Sequence, residues 1–218
     1  MQQQRNFPLS RFNSLSFARL FSRLVSRLAT PLMLTLAMFA NPTAIAQTTT
    51  PEALPAFGTP ERETTLARLY DKLQMAKEPS KVQALERNIW QIWLHHGDPE
   101  VDQLMVDAQS ARREFNFEKA VLLTNEIIEL APEYAEGWNQ RATLRYLQES
   151  YEASLKDVAE VLKREPNHFG ALSGRALIRY RQGKPALAIQ NLLEALKVNP
   201  HLREKGLLDR LGYKETKV

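Results

Sequence analysis

An all-α fold, laid out as an antiparallel helix-pair solenoid, is what this sequence predicts, and three observations carry it. Pro132, Pro166 and Pro200 fall at equal intervals of 34 residues. The hexapeptide Arg141–Tyr146 recurs as Arg175–Tyr180, again 34 residues on, with four of its six positions identical. The small residues Ala108, Ala142 and Ala176 keep the same interval. A register shared by prolines, alanines and a hexapeptide marks a repeat array, in which each supersecondary unit buries its apolar face against the next.

Residues 1–46 read as a signal peptide. They hold five arginines, no lysine and no acid. An apolar run follows at Leu32–Ala40, Asn41-Pro42 breaks it, and Ala44-Ile45-Ala46 precedes Gln47. Cleavage is expected between Ala46 and Gln47. The apolar run is short of the roughly 20 residues that a spanning helix needs. An uncleaved membrane anchor stays open as an alternative. So does a mitochondrial transit peptide, since Arg19, Arg23 and Arg27 lie four apart on one helical face, and so does a later start at Met33, which leaves no export signal. The Ala-Ile-Ala-Gln ending favours bacterial export and a periplasmic mature chain. Residues 47–60, rich in Thr and Pro, read as a flexible linker.

Residues 61–97 form a helical pair. Leu66, Leu69, Tyr70 and Leu73 mark one face of a helix over 60–77, and Val82, Leu85, Ile89, Ile92 and Trp93 mark a second over 80–96. Gly97 stops it. Asp98-Pro99-Glu100 then caps the next helix in the favoured order. The pair has the size of a repeat with little of its signature, as a degenerate repeat or a cap would. The region 98–212 holds three units, 101–134, 135–168 and 169–202, and a C-terminal capping helix over 201–212 carrying Leu202, Leu207, Leu208 and Leu211; residues 213–218 are a tail.

Within each unit the closing proline is position 32. Position 4 holds Leu104, Trp138 and Leu172, position 8 Ala108, Ala142 and Ala176, and position 20 Ala120, Ser154 and Ala188. Position 27 holds Ile127, Val161 and Ala195. Small residues at 8 and 20 let two helix backbones approach, while large ones fill the space around the contact. This pattern resembles the tetratricopeptide (TPR) family over about 100 residues, and in particular the small exported TPR proteins of Gram-negative bacteria. The resemblance implies an Arg141–Asp157 pair. It departs at position 11, where the family places a packing Tyr. Here stand Arg145 and Arg179, with Tyr146 and Tyr180 moved to position 12. The arginine stems are expected to snorkel over the helix pair.

Chemistry of its own is not expected. With no cysteine there is no disulfide, thiolate nucleophile or cysteine metal site. No Walker, dinucleotide-binding, HExxH or nucleophile-elbow motif is present, and no cofactor is expected. His95-His96 with Asp98, Glu100 and Asp102 invites a metal, but adjacent helical histidines diverge, so a dipole-favoured last turn is the better reading. His168 and His201 read as turn residues. The acidic pairs Glu126/Glu129 and Glu133/Glu136 read as solvated. The pI of about 9.3 belongs to the leader. Residues 47–218 carry 24 basic against 25 acidic residues, which removes the support for nucleic-acid binding. Membrane contact is expected only through the signal segment before cleavage.

The expected function is therefore protein binding. The TPR resemblance implies a concave groove lined by positions 2, 5, 9, 12 and 13 of each first helix. Unit one supplies Asp102, Met105, Gln109, Arg112 and Arg113. Unit two gives Glu136, Asn139, Thr143, Tyr146 and Leu147, and unit three Gly170, Ser173, Leu177, Tyr180 and Arg181. Tyr146 and Tyr180 are expected side by side, flanked by arginines. The family's clamp for chaperone tails wants Lys at position 5 and Asn at position 9 of its first repeat; Met105 and Gln109 stand there instead. The expected occupant is a segment of another protein.

Overall fold

The computed structural model describes residues 53–214. The signal peptide, its cleavage point at Ala46 and Gln47, the first part of the linker and residues 215–218 lie outside the described residues.

Helix α1 (Pro60–Met75) starts where Thr59 accepts from the Arg62 N–H and Pro60 fills the first position. It stops two residues before the expected end, because Glu78 precedes Pro79 and is held extended (φ −79°, ψ 128°). Helix α2 (Pro79–Leu94) ends at an extended His95. The histidine pair thus follows the helix rather than occupying its last turn. Asp102 braces it, accepting from the His96 N–H at 2.7 Å and the Gly97 N–H at 3.1 Å and meeting His95 Nδ1 at 3.0 Å. That work takes Asp102 away from the groove. Among the described residues no group of three or more side chains is placed to hold a metal ion.

Three helix pairs follow: α3 (Pro99–Arg113) with α4 (Phe117–Leu130), α5 (Ala135–Leu147) with α6 (Tyr151–Arg164), and α7 (Phe169–Arg181) with α8 (Pro185–Val198). Asp98 caps α3 as the sequence implied. A 3-10 turn (Arg203–Lys205) and the short helix α9 (Gly206–Arg210) close the array, in place of one helix over 201–212. Leu202, Leu207 and Leu208 are nevertheless buried. The small residues at positions 8 and 20 are buried in all three pairs. Where one is serine, its Oγ donates to the Ala142 carbonyl at 2.7 Å, which satisfies the hydroxyl. Each turn between paired helices passes through one left-handed residue at the same repeat position: Phe115, Glu149 and Gly183.

The expected Arg141–Asp157 pair is present and bidentate, at 3.0 and 2.8 Å, with Asn125 accepting from a third guanidinium N–H. Arg145 does not snorkel. It is the second cation on Asp157, at 2.8 Å. Trp138, at position 4, lies under the guanidinium groups of Arg141 and Arg164 at 4.9 and 5.0 Å.

The array ends at α3 by chemistry. In the second and third repeats, positions 3 and 10 are Gly137, Leu144, Ala171 and Ile178, all buried. A Cβ on Gly137 would meet Ile127 of the preceding repeat at 2.8 Å. The first repeat has Gln103 and Ser110 there, occupied by hydrogen bonds to Asp107 and Glu114. The α1–α2 pair accordingly does not stack on α3. It packs across the edge where the first helices of the repeats begin, sharing one core with Phe169, Leu172, Ala176, Leu192 and Leu207.

Position 34 carries this contact three times over. Tyr134 Oη donates to the Trp93 carbonyl at 2.7 Å, His168 stacks on the Trp93 indole, and Leu202 joins the same core as Leu73. Residues 56–59 are also docked, against the expectation of a linker to residue 60. Phe57 stacks on His96 and meets Tyr134 edge-on, and its N–H donates to the His96 carbonyl at 2.9 Å. An aromatic side chain with two ring partners outweighs the Thr/Pro character of the segment.

Candidate binding groove

Helices α5 and α7 lie side by side one repeat apart, and their unpaired faces form a trough. Its floor is apolar: Ala142, Val158, Ala171, Leu177 and Ile178. Asn139, Thr143 and Ser173 set polar rungs across it. Thr143 and Ser173 turn their hydroxyls back onto helix carbonyls, Asn139 at 3.0 Å and Gly170 at 3.2 Å. The enclosed space is about 360 Å³, within the range of sites that hold a few side chains.

Two glycines shape this space in opposite ways. A Cβ on Gly170 would meet Trp90 Cη2 at 2.8 Å, so glycine lets the indole from α2 close against α7. A Cβ on Gly174 would meet nothing within 4 Å. Glycine inside a helix costs about 0.5–1 kcal/mol relative to alanine. Nothing in the fold requires Gly174, and its effect is to keep the trough open.

Of the expected groove residues, the structure brings Arg112, Asn139, Thr143, Tyr146, Ser173 and Leu177 to one cavity, together with Leu147 and Gly170. Seven stand elsewhere: Asp102, Met105, Gln109, Arg113, Glu136, Tyr180 and Arg181. Met105 is only 2% exposed and packs with Val101, Ala108 and Ile127 beneath Phe57 and Leu94. The docking of residues 56–59 and the end of α2 over the first repeat is what buries it. Gln109 is half-buried and Arg113 exposed, neither on the cavity. Tyr180 is 40% exposed and also outside it. The Tyr146 ring tilts against Tyr151 at 5.9 Å, not against Tyr180. The neighbour one repeat on is Arg181, whose Nε donates to Tyr146 Oη at 3.3 Å.

Glu136 is also lost to the groove. It is fully buried, accepting from Asn139 and Gln140 and from His168 Nε2 at 2.9 Å. His168 is no loose turn residue. Its Nδ1 accepts the Ala171 N–H at 3.1 Å and so caps α7, which leaves the ring proton on Nε2 for Glu136.

Val158, Ala171, Gly174 and Ile178 of the repeats also line the space without having been expected there, and two further lining residues come from outside the three repeats. Trp90 comes from the N-terminal pair and Glu204 from the closing 3-10 turn. Glu204 falls 34 residues after Gly170, one register step past the third repeat, whereas no repeat register points to Trp90.

Comparison with known proteins bears on the repeats. No family model matches the chain. A TPR repeat-containing protein of Rhizobium etli is 32% identical over 93 residues, which are 43% of this chain and 46% of the relative. Over those residues the chain is similar to a tetratricopeptide-repeat protein. The chain spans about half the length of the curated TPR relative it matches. Two solved TPR structures are also similar. The TPR2B domain of yeast Sti1 in its pHsp70 complex has a TM-score of 0.47 and 22% identity, covering 52% of this chain and 94% of that one. The TPR2AB domains of yeast Sti1 in a pHSP90 complex have a TM-score of 0.48 and 18% identity, covering 72% and 64%.

Proposed function

We propose that this protein is a non-catalytic scaffold of the bacterial cell envelope, and that a segment of a partner protein lies in the trough between α5 and α7. The observation that supports it is the trough itself: an open, apolar-floored space crossed by polar rungs and walled by the aromatic rings of Trp90 and Tyr146. Aromatic walls over a rigid helical floor are what binding hot spots are made of. The paired acids next to the trough are all used: Asp157 holds two arginines and Glu136 holds His168. Among the described residues no free acid–base couple faces the space, so binding is the activity proposed, and another protein or peptide is the partner.

Titration of a partner recovered from the native host tests this. Tyr146→Ala weakens binding tenfold or more, about 1.4 kcal/mol, while Tyr180→Ala leaves it unchanged. The opposite order would move the site to the outer edge of the turns. The envelope location rests on the leader. A mature protein beginning at Gln47 in the periplasmic fraction supports it; a full-length mass in the membrane fraction would make the leader an anchor.

A further inference from the structure

The trough carries one unused charge of each sign, on opposite flanks. Arg112 comes from the first repeat, at the α3 side. Its Nε is buried and has no hydrogen-bond acceptor among the described residues. Glu204 comes from the turn after the last repeat, beyond α7. Neither belongs to an ion pair among the described residues, and the two do not pair with each other. Among the other first-helix arginines, Arg175 also has a buried Nε without an acceptor, and Arg113, Arg179 and Arg181 also lie outside the ion pairs of the described residues. What sets Arg112 apart is that it lines the trough. Arg141 and Arg145 share Asp157, and Arg175 meets Glu194.

A cation in the last turn of α3 suits the helix dipole, but the dipole does not account for a desolvated N–H left without an acceptor. A ligand carboxylate does account for it, and a guanidinium presents the geometry to receive one. Glu204 asks for the opposite charge, and it repels phosphate, which sets nucleic acid and anionic lipid aside as occupants.

Resting on the reading of the trough as the binding site, we infer that the bound segment is dipolar. An acidic side chain meets Arg112 at the α3 flank. An apolar stretch lies over Leu177 between Trp90 and Tyr146. A lysine or arginine meets Glu204 at the far flank. Charge at the two ends fixes the direction in which the segment lies, and it rejects segments that are acidic or basic throughout.

The test is selection of a random twelve-residue peptide library on the mature protein, with depletion on Gly174→Leu. That substitution adds bulk at a lining position where a Cβ meets no atom within 4 Å, and an unchanged thermal melt checks that it fills the trough with the fold intact. Peptides that survive depletion are trough-dependent. They are expected to carry an acid and a base on either side of an apolar stretch. Arg112→Ala and Glu204→Ala each weaken them about tenfold or more, with unchanged thermal melts. Selection repeated on Glu204→Lys returns an acid where the base had been. Trough-dependent peptides with no charge bias, with one sign only, or indifferent to both substitutions overturn the dipolar inference and leave the trough standing. Recovery of no trough-dependent peptide overturns the trough itself.

Discussion

His168 lies flat on Trp93, ring centroids 3.8 Å and planes 11° apart, and both side chains are fully buried. One residue belongs to the repeat register and the other to the helical pair outside it. Trp93 also receives the Tyr134 hydroxyl on its carbonyl, so this one residue ties the N-terminal pair to two successive repeats. Trp93→Ala removes the stack and leaves a large void. It is expected to destabilise by about 3–5 kcal/mol, read as a loss of Tm. An unchanged melt would mean that the pair does not dock across the repeat edge in solution.

Tyr134→Phe is a milder probe of the same joint. It deletes one buried hydroxyl, whose ionisation burial already pushes well above the ordinary tyrosine range, and it strips the Trp93 carbonyl of this donor. A cost of about 1–3 kcal/mol is expected in chemical denaturation.

The small residues between paired helices are predicted to be intolerant of size. Ala142 and Ala176 are both buried against their second helices. Ala142→Leu or Ala176→Leu should cost about 1–3 kcal/mol through overpacking. Gly174→Ala, in the same helix as Ala176, should go the other way, gaining about 0.5–1 kcal/mol, because its Cβ meets only open space. Equal losses at Ala176 and Gly174 would contradict the packing described.

Asp157 is predicted to be the most sensitive acid in the fold. It is almost wholly buried and carries both Arg141 and Arg145. Asp157→Ala leaves two arginines without their counter-charge and should cost about 3–5 kcal/mol. Substituting Arg145 alone should cost less, since Arg141 keeps both carboxylate oxygens engaged.

One pH dependence follows from His96. Burial against Phe57 and Tyr134 holds its imidazole below the ordinary value of 6.5, outweighing the raising pull of Asp102 and Asp98, while His95 and Arg62 add to the lowering. The unfolded chain therefore takes up the proton first as pH falls. Stability from this group is complete above the unfolded value and declines as pH drops through it. Between about pH 7.5 and 5.5 the wild type should lose more Tm than His96→Phe, which keeps an aromatic ring there but cannot titrate. A larger loss in the variant would reverse the sign and exclude the proposed cause.

Much of this architecture was legible in the sequence because repeats make local rules visible. Pro132, Pro166 and Pro200 mark where second helices close, and Ala108, Ala142 and Ala176 mark where backbones touch. The trough was half legible by the same route. Asn139, Thr143, Tyr146, Ser173 and Leu177 line it because helical periodicity and one shared register place them on one face. Met105 obeys that register too and is nonetheless buried, because what covers it is not a repeat.

By itself, then, the sequence determined the helices, their pairing and the three-repeat period, since each depends on contacts within 34 residues or with the next unit. Tertiary structure alone decided where α1 and α2 go. Their apolar faces specify that they must be covered, and an apolar face is non-directional, so it does not name its cover. That placement follows from side chains far apart in sequence, with Trp93 meeting Tyr134 and His168, and Gly170 making room for Trp90. The same placement buries Met105 and brings Trp90 into the trough. Closure of the chain beyond the last repeat adds Glu204, and with it a charge opposite to that of Arg112 on the same lining.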